Sequence, residues 1–80
     1  MKTMEVGKVY EVDPWANYYS EPEIQRFKLV CKCFAITDKT YFLTVLIGDP
    51  IFFPAGKLIS IGVPISGDLR NHYNAIWEDV

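Results

Sequence analysis

The sequence predicts a β-rich domain, all-β or small α+β: four or five short strands in a curled antiparallel sheet, with a short C-terminal helix or helical turn. Three observations carry this expectation. Segments 25–36 and 57–65 alternate apolar and other residues with a period of two, and segment 41–47 is dense in branched and aromatic side chains. Turn formers interrupt the chain at short intervals, at Asp13-Pro14, Thr37 to Thr40, Gly48-Asp49-Pro50 and Pro54-Ala55-Gly56. Half of the 80 residues are apolar and 15% are aromatic, far more than a disordered chain carries.

Taken in order, Val6 to Val12 reads as the first strand, stopped at Asp13-Pro14 because proline cannot donate to a ladder. Pro14 to Pro22 has the composition of a loop, yet it holds Trp15, Tyr18 and Tyr19. From Gln25 to Ile36, Phe27, Leu29, Cys31, Cys33 and Ala35 share one face while Arg26, Lys28 and Lys32 share the other. A helix is the rival for this segment, since Ser20-Glu21-Pro22-Glu23 fits a capping box and Ile24, Phe27, Cys31 and Phe34 have helical spacing. The strand is preferred because the run is rich in aromatic, branched and Cys residues.

Thr37 to Thr40 is a tight polar break, and Tyr41 to Ile47 pairs back as a hairpin. An odd-length loop would set Ala35, Cys33 and Cys31 across from Leu43, Val45 and Ile47 and so join the apolar faces. A two-residue loop would put Lys32 opposite Val45, and the odd loop is therefore expected. Ile51-Phe52-Phe53 is a short apolar segment between prolines. Lys57 to Ile65 places Ile59, Ile61, Val63 and Ile65 on one face, with Gly62 and Pro64 marking a bend or an edge. Behind an Asp68 cap, Leu69, Tyr73, Ile76, Trp77 and Val80 form a helical stripe. Ala75–Val80 also works as a final strand, and Glu78 and Asp79 would oppose a helix dipole there.

The strand spacing, with a long first loop followed by a tight hairpin, resembles that of an SH3-like small barrel. Closing a short sheet in this way removes edges that invite aggregation. Arg70-Asn71-His72-Tyr73 resembles, over four residues, the turn before the last strand of an SH3 domain. The characteristic start and tandem tryptophans of true SH3 domains are absent, so the resemblance is one of architecture.

Eighty residues read as one domain, 1–80, with little surplus stability and no room for a deep cleft beside a complete core. The formal charge of −2 argues against a general nucleic-acid binder. Its distribution is dipolar. Lys2 and Lys8 stand against Glu5, Glu11, Asp13, Glu21 and Glu23 in residues 1–25, a net of −3. Arg26, Lys28, Lys32 and Lys39 stand against Asp38 in residues 26–39, a net of +3. No apolar run approaches the ~20 residues of a membrane-spanning helix. Glu5 and Gly7 interrupt any export signal, and with two cysteines the expected location is the reducing cytoplasm.

Chemistry-bearing residues are few. Cys31 and Cys33 with His72 fall short of the four ligands of a structural zinc site, and on a strand both thiols join the apolar face with Leu29 and Ala35. His72, four residues after Asp68, lacks a partner nucleophile, and no glycine-rich phosphate loop is present, so no enzyme, metal or cofactor is expected. Arg26, Lys28 and Lys32, near Phe34 and Phe42, could track a single-stranded nucleic acid while the rings stack on bases. A solvated strand face is the simpler reading of the same stripe. The loop is richer: Trp15, Tyr18 and Tyr19 stand among Asp13, Glu21 and Glu23, and Tyr73 or Trp77 of the tail is expected to join them at the site. Rings of this kind either cover a small core or form a hot spot for another protein, one carrying a basic or proline-rich segment. The sequence thus favours a non-catalytic protein-interaction module. A single-strand nucleic-acid binder and a small subunit of a larger assembly are the alternatives.

Overall fold

The computed structural model describes residues 3–13, 28–64 and 75–80. Within them lie five strands: β1 (Val9–Asp13), β2 (Leu29–Ile36), β3 (Thr40–Ile47), β4 (Leu58–Gly62) and β5 (Ile76–Asp79). They form one antiparallel sheet in the order β4-β3-β2-β1-β5, curled into a half-barrel. The expected β-rich, curled antiparallel fold is the one observed, and no helix occurs among the described residues.

The alternation of side chains decides which face curls inward. Leu29, Cys31 and Cys33 of β2 are buried while Lys32 and Phe34 are exposed, and Tyr41, Leu43 and Val45 of β3 are buried. Pairing joins these inward residues across strands, so that Val45, Cys31 and Tyr10 lie in one row and Leu29, Val12 and Trp77 in the next. Trp77 is the largest fully buried side chain, meeting Tyr10 edge-on at 5.4 Å and Tyr41 at 5.9 Å between ring centres. An aromatic side chain buries roughly 150–250 Å², worth about 4–6 kcal/mol at ~25 cal/mol per Å². This single residue is therefore a main anchor of the small core.

The hairpin corrects the expected register. Thr37 N donates to Thr40 O at 2.8 Å, and Thr40 N donates to the Thr37 hydroxyl at 3.0 Å, which leaves Asp38-Lys39 as a two-residue turn rather than an odd loop. Ile36 then pairs with Tyr41 and Ala35 with Phe42. A bulge at Phe34 absorbs one residue, so Cys33 meets Leu43, Lys32 meets Thr44 and Cys31 meets Val45. The apolar faces are joined by the bulge instead of by the loop length. A second irregularity, at Leu46, sets Ile47 opposite Val30.

The tail corrects the helical expectation. Ile76 and Trp77, which were expected on a helical stripe, lie in β5, where Val12 pairs with Trp77 and Glu11 with Glu78. The second side of β1 needs a partner for its backbone groups, and a strand supplies one. A strand also removes the conflict of Glu78 and Asp79 with a helix dipole. Val80 follows β5 and is exposed, while Asp68, Leu69 and Tyr73 of that expectation lie outside the described residues. At the other end the first strand begins at Val9 rather than Val6. Val6-Gly7 forms a turn in which Gly7 takes φ +90° and donates to Cys33 O at 2.8 Å.

Candidate partner interface

The connection from β3 to β4 builds the most exposed apolar feature of the described fold. Gly48 opens it, because a Cβ there would collide with the Phe53 carbonyl oxygen and come within 2.7 Å of Val45 Cγ1. The Asp49 carboxylate accepts hydrogen bonds from the amides of Ile51 and Phe52, both at 2.8 Å, and its carbonyl accepts from Phe53 N at 3.0 Å. Lys57 Nζ donates to Phe52 O at 2.9 Å and lies 5.1 Å from the centre of the Phe53 ring. Phe53 tucks against the core, so Ile51 and Phe52 are left pointing outward.

Ile51 is 79% exposed, Phe52 58%, and Ile47 and Leu58, which flank the connection, 66% each. Leu46 is exposed as well. Scattered single apolar residues on a surface are ordinary; five within thirteen positions, two on a hydrogen-bonded turn and three on the strand ends that flank it, are not. The turn is held by its own backbone and by Asp49 and Lys57, so these side chains are presented in a fixed arrangement. Little ordering entropy then remains to be lost on binding.

A second feature lies where segment 14–27 leaves and rejoins the sheet. Asp13, the end of β1, and Lys28, just before β2, line a shallow hollow of about 220 Å³ with Glu11, Ile76, Trp77 and Glu78. Glu11 and Glu78 stand directly opposite on β1 and β5, a costly pairing of like charges. Lys28 Nζ bridges them at 3.3 and 3.4 Å. The hydrogen bond to Glu11, then that to Glu78, holds this exposed ammonium above its ordinary pKa. Among the described residues, three carboxylates and one ammonium line the hollow.

The residues expected at the site divide accordingly. Trp15, Tyr18, Tyr19, Glu21, Glu23 and Tyr73 lie outside the described residues, as do Arg26 and His72, while Trp77, the other expected contact of the tail, is buried in the core and presents no surface to a partner. Of the basic stripe, Lys28 is engaged by two carboxylates, while Lys32 is exposed on the outer face opposite Thr44. Phe34 and Phe42 stand near it with ring centres 6.3 Å apart. Cys31 and Cys33 are fully buried as free thiols on the inner face, where the alternation put them. Burial alone pushes the Cys31 thiol up to about 11, and burial also raises Cys33, with a smaller opposing contribution from the Ala35 backbone. Among the described residues no group of His, Cys, Asp and Glu is arranged to hold a metal ion.

Sequence reading missed the Ile51-Phe52 tip. Its signal was a run of large apolar residues too short for a strand, enclosed by Pro50 and Pro54. No family model matches the chain, and no curated protein or solved structure matches it at a significant level.

Proposed function

We propose that the chain is a non-catalytic protein-interaction module that docks a partner on the corner formed by Ile47, Ile51, Phe52 and Leu58. The observation that carries this reading is the rigid turn that holds Ile51 and Phe52 out of the core. Aromatic side chains such as Phe52 are enriched at protein interfaces, and a pre-ordered support lowers the entropy lost on binding. The hollow beside Asp13 and Lys28 sits at the base of the segment carrying Trp15, Tyr18, Tyr19, Glu21 and Glu23. Glu11 and Glu78 there, held by the single Lys28 ammonium, together with Glu21 and Glu23 of the sequence, support a partner whose contacting segment is basic, with Tyr73 and the aromatic loop as further contacts. The strand order, with β1 between β2 and β5, supports an SH3-like small barrel as the architecture. The two free thiols support a reducing, cytoplasmic setting.

The test is site-specific photocrosslinking in the host cell, with the reactive group placed at Phe52 and, as control, at exposed Lys39 on the hairpin turn. One discrete crosslinked protein at position 52 and none at position 39 is the expected result. The same product from both positions, or none from either, would refute the assignment. The nucleic-acid alternative predicts crosslinks to an oligonucleotide from a group at Lys32.

A further inference from the structure

We infer that β4 is a self-association edge, along which a second copy of the chain adds its own β4 in antiparallel pairing. β4 ends the sheet, with β3 on one side and no described strand on the other. Its hydrogen-bond phase follows from the bonds to β3. Val45 N donates to Lys57 O at 2.9 Å and Val63 N to Lys39 O at 3.1 Å, so the Lys57 carbonyl, Ile59, Ile61 and the Val63 amide turn toward β3. Leu58 and Ser60 therefore aim their N–H and C=O groups away from the sheet, and both residues are exposed.

The strand is self-complementary in one register. Pairing Leu58 with Ser60 of the second copy places the two-fold axis at Ile59. Each copy then contributes two amides and two carbonyls, and the two Ile59 side chains face each other on the inner side. Residues Leu58 to Gly62 carry no charge. Lys57, the nearest cation, falls opposite Ile61 of the second copy, so no like charges meet. Natural edge strands are normally guarded by charges, proline or bulges. The opposite edge of this sheet follows that pattern: β5 carries Glu78 and Asp79, whose self-pairing would stack carboxylates. Among the described residues the uncharged edge is thus specific to β4, and Leu58, 66% exposed, adds an apolar contact beside it. Leu58 lends its side chain to the docking corner as well, so the two proposals are told apart by Ser60, whose outward backbone belongs to the edge alone, and by Phe52, which belongs to the corner alone.

The experiment combines sedimentation velocity over a wide concentration range with residue-resolved hydrogen exchange on the intact chain. A monomer–dimer equilibrium is expected, with the Leu58 and Ser60 amides gaining protection as concentration rises while Ile59 and Ile61 stay protected throughout. Ser60→Pro removes an outward donor without removing a bond to β3, and should weaken self-association by about tenfold or more. Ser60→Ala keeps that donor and should associate like the parent. A parent chain that stays monomeric throughout overturns the proposal. A dimer in which Leu58 and Ser60 exchange independently of concentration overturns it too, whether or not Ser60→Pro folds. Loss of partner crosslinking at Phe52 with dimerisation intact would refute the docking corner alone.

Discussion

Replacing Cys31 with valine should flatten the alkaline side of the stability profile. The Cys31 thiol has no exposed surface and sits between Tyr10 on β1 and Val45 on β3. Burial raises it from 9.0 to about 11. Its neutral form is favoured in the folded state, so the contribution is complete below about pH 9, where the unfolded thiol is also protonated. It is lost as pH rises from about 9 toward about 11, because the unfolded chain releases a proton that the folded chain retains. A shift of about two units corresponds to roughly 3 kcal/mol over that window. Cys33, Tyr10 and Lys28 are raised as well and push in the same direction, the last two at higher pH. The assay is urea unfolding of the parent and of Cys31→Val at closely spaced pH values from 7 to 10. Valine should be tolerated near neutrality, within about 1.5 kcal/mol, since it preserves an apolar core side chain. The parent should then lose stability faster than the variant above pH 9. Parallel profiles would refute the placement of Cys31 in the desolvated interior.

Two further outcomes follow from the described contacts. Trp77→Ala should cost about 3–5 kcal/mol and approach complete unfolding, because it empties the space between Tyr10 and Tyr41. Trp77→Phe should retain a cooperative transition, and thermal unfolding followed by circular dichroism distinguishes the two. Lys28→Gln should lower the denaturation midpoint slightly at low salt, since Glu11 and Glu78 are left opposed. High salt should erase that difference, and a midpoint that ignores ionic strength would show the bridge to be inert.

The strand faces were legible in the sequence because alternation is a local signal: Leu29, Cys31 and Cys33 turn inward, as do Leu43 and Val45. Register was less so. Nothing local marks Phe34 as a bulge; it becomes one because a two-residue turn and a continuous apolar face demand it together. The tail was ambiguous for the same kind of reason. Ile76 and Trp77 satisfy a helical stripe and a strand equally, and the open side of β1 decides between them. The docking corner was hidden by composition. Ile51 and Phe52 look like core residues, and their exposure follows from the Asp49 and Lys57 hydrogen bonds, which pattern alone does not reveal.

The most direct test of the central claim is the paired affinity and stability of Phe52→Ser, measured against the partner captured at that position. Phe52 is a surface side chain on a turn held by backbone bonds, so the substitution should leave the unfolding free energy within about 0.5 kcal/mol. As a hot-spot truncation it should weaken partner binding by about 2 kcal/mol, roughly thirtyfold by titration calorimetry. Unchanged affinity with unchanged stability would contradict the account, and so would a large loss of stability, which would make Phe52 part of the core rather than of an interface.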